Sequence, residues 1–318
     1  MIIMKKVVMM FLLLCVNAAC CMAANIDVEI SEPGVSLFED VLFARYYTWP
    51  QAELTMNVFA PMDGKKHPAV VMLPGGAWIT APKSVWYLLA LKLAQNGFVA
   101  APIEYRLIGA ADYTEIIGDA KAAVRYLRAH ADQFGIDENK IAAMGASAGG
   151  YLAVMLGVTG DEPEKFTFGE NLDQSSAVQA VIDCFGPTDM TRTAEDLSDE
   201  RKKDYASPSS FTSVFVNGIA GYKGRHGGSV PDNPKTARDS NPLNYIDENT
   251  PPFLIFHGDA DKTVSLSQSK ILHEALTAKN IDSTLYIING GEHDTVYFNQ
   301  PSVVKIIVDF LNRTLNGQ

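Results

Sequence analysis

The stretch Lys140-Ile141-Ala142-Ala143-Met144-Gly145-Ala146-Ser147-Ala148-Gly149-Gly150-Tyr151-Leu152-Ala153-Val154 decides the fold. Lys140 to Met144 reads as a short apolar strand, and Ala148 to Val158 reads as a helix. Between them lies Gly-x-Ser-x-Gly at 145–149, a pattern that carries chemistry only where a strand runs into it and a helix leaves it. So tight a turn has no room for large side chains beside the serine, and every neighbour here is Gly or Ala. The Ser147 hydroxyl is then expected to project above the end of a sheet. The Ala148 amide should face the same space at a helix N-terminus, whose dipole favours developing negative charge.

Working outward, the same rhythm recurs on both sides. Upstream, Phe38 to Tyr47 and Leu54 to Phe59 are strand-like, and Ala69 to Leu73 is a continuous apolar run of the kind covered on both faces. Ser84 to Asn96 reads as a helix, Phe98 to Pro102 as a strand, and Thr114 to Phe134 as one long amphipathic helix ended by Gly135. Downstream come strands at Val178 to Cys184, Phe253 to Phe256 and Thr284 to Asn289, with helices at Leu266 to Lys279 and Ser302 to Leu315. Strands alternating with helices of this length imply right-handed crossovers and a mainly parallel sheet, an α/β fold with functional groups at the carboxyl ends of the strands. Residues 186–250 break the rhythm. They are polar and rich in Pro, Ser, Asp and Gly, and they are read as an insertion with short helices capping part of the site, the alternative being a mobile surface excursion.

Composition narrows the function classes. The chain has 318 residues, 47% hydrophobic and 20% charged, as expected of a globular protein. Its formal charge of -11 argues against a nucleic-acid partner, which needs clustered Lys and Arg. Lys5 and Lys6, the apolar run Val7 to Val16 and the small residues Ala18 to Ala24 have the layout of a secretory signal peptide over residues 1–24, leaving 25–318 as one domain. This predicts a periplasmic or secreted protein with no membrane span. The alternative is a lipoprotein anchored at Cys20 or Cys21. Cys15, Cys20 and Cys21 fall in the leader, so Cys184 is the one cysteine left and forms no internal disulfide.

A serine hydroxyl needs a base to take its proton. Of the six histidines, His293 lies in Asn289-Gly290-Gly291-Glu292-His293-Asp294, just past a strand and before the last helix, and is the expected base; His257, ending a strand, is the second choice. The base needs an acid to orient it, and the loop His257-Gly258-Asp259-Ala260-Asp261 offers Asp259 and Asp261. A further backbone donor for a developing oxyanion is expected from Leu73-Pro74-Gly75-Gly76-Ala77-Trp78, after the Ala69 to Leu73 strand. Trp78 either walls a small acyl pocket or packs the core.

Together these pieces resemble the α/β-hydrolase superfamily, and within it the hormone-sensitive-lipase-like and carbohydrate-esterase-like branch that includes acetylxylan and feruloyl esterases. The order Ser147, Asp, His293 is that of the superfamily. The branch's His-Gly-Gly-Gly-Trp stands here as Pro74-Gly75-Gly76-Ala77-Trp78, with Pro74 in place of the His and Ala77 in place of the third Gly. Its Asp-Tyr-Arg-Leu is similar to Glu104-Tyr105-Arg106-Leu107, and its Ser-Pro-Leu-x-Tyr to Asn241-Pro242-Leu243-Asn244-Tyr245. Its His-Gly-x-x-Asp motif, laid on His257 to Ser265, puts the acid at Asp261. The resemblance implies a mostly parallel sheet flanked by helices, a catalytic set of Ser147, Asp261 and His293, and an oxyanion hole of the Gly76, Ala77 and Ala148 amides. It implies no metal or other cofactor.

The expected activity is hydrolysis of a small-molecule ester or an acylated polysaccharide, acetyl first and feruloyl next. A prolyl-oligopeptidase-like peptidase would bring a propeller domain, and the chain shows no repeat for one. A lipase would bring an amphipathic lid, which the insertion lacks. A catalytically inactive carbohydrate- or protein-binding module would not need the complete Ser, Asp and His set. The sequence is silent on the oligomeric state.

Overall fold

The apolar runs become the interior strands of one eight-stranded sheet. A computed structural model describes residues 33–47, 50–161 and 164–317. The expected leader, with its three cysteines, lies outside the described residues. The strands are β1 (Val35–Tyr46), β2 (Ala52–Pro61), β3 (His67–Leu73), β4 (Val99–Pro102), β5 (Ile136–Ala146), β6 (Ala180–Cys184), β7 (Phe253–Gly258) and β8 (Ser283–Ile288). They lie side by side in the order β1-β2-β4-β3-β5-β6-β7-β8. β1 and β2 are antiparallel to each other, and β2 is antiparallel to β4. From β4 to β8 every neighbour is parallel.

The helices cover both faces. They are α1 (Tyr87–Gln95), α2 (Tyr113–Ala129), α3 (Ala131–Phe134), α4 (Ala148–Thr159), α5 (Asp199–Ala206), α6 (Phe211–Asn217), α7 (Pro234–Asp239), α8 (Leu266–Ala278) and α9 (Pro301–Leu311). Side chains of a strand point alternately up and down, and β3 shows the consequence. Ala69, Val71 and Leu73 join one core with α2, α4 and α8, while Val70 and Met72 join the other with α1 and α9. A strand buried on both sides has no polar face, which is why these segments read as unbroken apolar runs. Every residue of α4 is buried.

Two expectations need correction. The helix expected over 114–134 is broken at His130, whose backbone amide and Nδ1 both bond the Tyr126 carbonyl. The chain restarts as the single turn α3 and leaves it through Gly135 in the left-handed conformation. The strand expected from Lys140 begins four residues earlier, at Ile136. There the Gly135 carbonyl accepts from the His67 amide and draws the chain straight into the ladder; the half-exposed Asp137 to Lys140 hid the extension from an apolar-run reading.

At the carboxyl end of β5 the turn is as crowded as its composition suggests. Ser147 has φ 54°, a conformation that costs a non-glycine residue energy. A Cβ on Gly149 would lie 2.1 Å from the Leu73 carbonyl oxygen and 2.6 Å from that of Pro74. Both obstacles are backbone and cannot swing away. Gly149→Ala is therefore expected to destabilise the protein by about 3 kcal/mol or more, read from the urea midpoint. An unchanged midpoint would mean the turn is looser than described.

Candidate active site

Three strand ends deliver the site. β5 runs into Ser147, β7 into the loop bearing Asp261, and β8 into the loop bearing His293. Gly258 lets the last two loops meet, since a Cβ there would sit 2.1 Å from the Gly291 carbonyl oxygen. The structure brings the three side chains into one hydrogen-bonded series. The Ser147 hydroxyl donates to His293 Nε2 at 2.9 Å, and His293 Nδ1 donates to Asp261 Oδ2 at 2.7 Å. Phe185 buttresses the imidazole, with ring centroids 4.4 Å apart.

The carboxylate is held from several sides. Its other oxygen accepts from the amides of Thr263 and Val264, at 2.7 and 3.0 Å. Burial alone would favour the neutral acid, but hydrogen bonding to His257 and His293 and to the Thr263 amide holds Asp261 well below the usual carboxylate range. The neighbouring Asp259 is solvent-exposed and accepts instead from the Gly290 amide, a turn contact. His257 is fully buried behind Asp261. Its Nε2 donates to the Val264 carbonyl at 3.0 Å and lies 3.4 Å from Asp261 Oδ2, while its Nδ1 accepts from the Ser269 hydroxyl. It is bonded on both ring nitrogens away from Ser147, so His293 is the imidazole at the serine.

The loop after β3 carries Gly76, Ala77 and Trp78. Ala77 and Trp78 take φ of 51° and 58°, and Gly76 takes 131°. Two consecutive non-glycine residues in the left-handed region need external support. The Tyr105 hydroxyl donates to the Pro74 carbonyl at 2.8 Å, and the Ile108 amide donates to the Trp78 carbonyl at 2.9 Å. Tyr105 thus anchors the loop at Pro74. Among the described residues, the amides of Gly76, Ala77 and Ala148 donate to no protein acceptor. Trp78 is 3% exposed and stacks on Phe215 of α6 at 4.0 Å, so it joins the insertion to this loop. It packs the core and also lines the cavity beside Ser147.

Ser147 sits between two hollows. One is a partly open cavity of about 330 Å³ between Ser147, Ala148 and the insertion, walled by Pro187, by α5 and by the turn into α6. The other is an open groove of about 590 Å³ that includes His293, Ile79, Pro82 and Val85. Among the described residues no group of three or more His, Cys, Asp or Glu is arranged to hold a metal ion, and no helix is long and apolar enough to cross a membrane.

Below the site, Asp183 of β6 is completely buried. Its Oδ1 accepts from the Gly186 amide at 3.0 Å and its Oδ2 has no partner. Burial pushes its carboxyl up to about 7, against the pull of His257 and the Gly186 amide. A raised carboxyl binds a proton in the folded state that the unfolded chain has already released. Stability should therefore fall by about 1.4 kcal/mol per pH unit between the ordinary and the raised value. Asp183→Asn keeps the Oδ1 acceptor and removes the titration, so its stability relative to the parent should be greater at pH 8 than at pH 5 in denaturant titrations. Equal differences at both pH values would show that Asp183 is not protonated in the fold.

A serine raised on a strained strand-to-helix turn, a histidine and an aspartate from successive strand ends, and a mainly parallel sheet define an α/β-hydrolase of the esterase-like branch. The chain belongs to the BD-FAE family, whose model matches residues 56–276. Its relatives include Esterase LipC of Mycobacterium tuberculosis (strain ATCC 25618 / H37Rv), 29% identical over 235 residues, which are 73% of this chain and 54% of that protein. Isoprenylcysteine alpha-carbonyl methylesterase ICME of Arabidopsis thaliana is 24% identical over 257 residues, 80% of this chain and 57% of that one. The chain thus spans about half the length of the curated relatives it matches.

Among solved structures, a truncated carbohydrate esterase from gut microbiota superposes with a TM-score of 0.73 at 24% identity, covering 88% of this chain and 96% of that one. A bifunctional GH43-CE protein of Bacteroides eggerthii gives 0.75 at 27% identity, covering 88% of this chain and 35% of that one.

Several residues at the site were not singled out from sequence. Tyr105 was visible only as part of a motif, Phe185 only as the end of an apolar run, and the α5 residues Arg201 and Tyr205 carried no local signal. They reach the site through packing of the insertion, which no spacing records.

Proposed function

We propose that the protein is an exported serine esterase that hydrolyses carboxylic esters through an acyl-Ser147 intermediate, acting on acyl decorations of polysaccharides such as acetyl or feruloyl groups. The observation that carries this reading is the unbroken series from the Ser147 hydroxyl through His293 to Asp261. His293 Nε2 takes the hydroxyl proton as Oγ attacks the ester carbonyl carbon. The amides of Gly76, Ala77 and Ala148 receive the oxyanion, and Asp261 stabilises the imidazolium. Collapse breaks the bond to the alcohol, which leaves with the proton from His293. Water then repeats the sequence on the acyl-enzyme and releases the acid.

The departing alcohol must lie where His293 can protonate it, which is the open groove; the acyl group then takes the narrower cavity beside Ala148. An open groove suits a bulky alcohol such as a polysaccharide. The esterase names of the relatives support ester chemistry, and the carbohydrate esterase of like fold supports the carbohydrate side. Export rests on the layout of residues 1–24, with a lipid anchor at Cys20 or Cys21 as the second route.

The test is a panel of acetylated xylan, a feruloylated oligosaccharide, a triglyceride and a peptide, scored for released acid. Acid release from the acylated carbohydrates is expected. Cleavage of the peptide in their place, or no acid from any ester, would overturn the reading.

A further inference from the structure

We infer that the cavity between Ser147 and the insertion is built for an acyl group longer than acetyl that ends in a carboxylate, and that Arg201 is the residue that selects it. The inference rests on the ester-hydrolysis part of the reading above and puts an acid-ended acyl group ahead of acetyl and feruloyl as the preferred one.

Size comes first. The cavity holds about 330 Å³, roughly ten times the ~30 Å³ share of a group the size of one water molecule. The methyl of an acetyl ester would leave most of it unfilled. Pro187, Phe211 and Val264 supply apolar wall for a stem of several carbons.

The polar groups of the wall are the second observation, and they divide into two kinds. Some are satisfied within the protein. The Tyr205 hydroxyl donates to the Thr263 carbonyl at 2.6 Å, Ser210 Oγ donates to the Tyr205 carbonyl at 3.1 Å, and Ser209 Oγ pairs with Ser207 Oγ at 2.8 Å. Two donors are not. Arg201 Nε and Trp78 Nε1 are buried atoms with no protein acceptor, and both side chains line the cavity. Buried donors are normally paired, so the missing acceptors point to a substrate that carries them.

The third observation is charge. Arg201 is the one cation among the residues lining this cavity. Its partner Asp204 lines the same cavity 3.6 Å away, and the two side chains are 40% and 62% exposed, a weak pairing in solvent from which the guanidinium can turn to a better acceptor while Asp204 swings into water. The guanidinium presents parallel N–H groups that match a carboxylate bidentately, and such charge-assisted bonds are the strong ones. A terminal carboxylate on the acyl chain answers all three observations at once.

The test compares monoethyl glutarate with ethyl hexanoate, which share an alcohol and nearly an acyl length and differ in the terminal charge. Acid release at neutral pH gives the ratio of kcat/KM for the two esters in the full chain and in Arg201→Gln. The parent is expected to favour the glutarate ester, and the ratio is expected to fall by about 10- to 100-fold in the variant. Arg201→Lys keeps the charge without the fork and should give an intermediate ratio, which reads the same point should the glutamine variant fold poorly. Hexanoate cleavage with no glutarate preference, or a ratio unmoved by both substitutions, overturns the role of Arg201 and leaves the esterase reading standing. Cleavage of neither ester overturns both.

Discussion

Ser147→Ala is expected to lower kcat/KM for a short acyl ester by roughly 10⁴-fold or more, because removing one member of a cooperating Ser–His–Asp set costs nearly as much as removing all of it. The residual rate would come from the oxyanion donors and binding alone. Among the described residues, no hydroxyl other than that of Ser147 is hydrogen-bonded to His293. The one thiol among the described residues, Cys184, is buried in the sheet. The loss should be purely chemical. Ser147 Oγ bonds only His293, and alanine at φ 54° carries the same backbone strain as serine. The check is therefore a pair of measurements, hydrolysis of 4-nitrophenyl butyrate and the thermal midpoint. Near-parental turnover in a folded variant would remove Ser147 from the reaction.

Asp261→Asn should cost about 10⁴-fold in kcat, and Asp259→Asn only a few-fold at most. The difference follows from what each carboxylate accepts. Asp261 Oδ2 takes the Nδ1 proton of His293 at 2.7 Å, and an amide nitrogen there would reverse the bond and turn the imidazole to the wrong tautomer. Asp259 holds only the Gly290 amide at an exposed turn. A larger loss at Asp259 than at Asp261 would reverse the assignment. The pH behaviour has a definite sign as well. Because the folded state holds the Asp261 carboxyl below its ordinary value, its ionisation stabilises the fold at every pH above that ordinary value. That contribution is lost as pH falls through the depressed one. Acid unfolding of Asp261→Asn should accordingly begin from a lower stability at neutral pH and depend less steeply on pH below 4.

Much of this was legible along the chain because it is encoded locally. A strand buried on both faces must be apolar throughout, so Ala69–Leu73 and Ile141–Met144 announced themselves. A turn that forces a Cβ within about 2 Å of backbone must be glycine, so Gly145 and Gly149 marked the serine. A histidine on a loop between the last strand and the last helix stood out by position. The choice between Asp259 and Asp261 was not local, since both suit a turn. It is decided in the fold by which one reaches the His293 imidazole, 32 residues further on, since Asp259 meets the same loop only at the Gly290 amide. The break at His130 depended on one side chain competing for a carbonyl, a contest that periodicity cannot register.

What the sequence determined by itself is therefore the α/β architecture, the serine turn and the identity of the histidine, each dictated by backbone sterics or by burial within a few residues. What only the tertiary structure decided is which aspartate meets that histidine, that Tyr105 holds the altered loop, and that α5 of the insertion brings Arg201 to the wall beside Ser147. Those contacts join segments tens of residues apart. Their energies come from packing and hydrogen bonds that exist only once the sheet has brought its strand ends together.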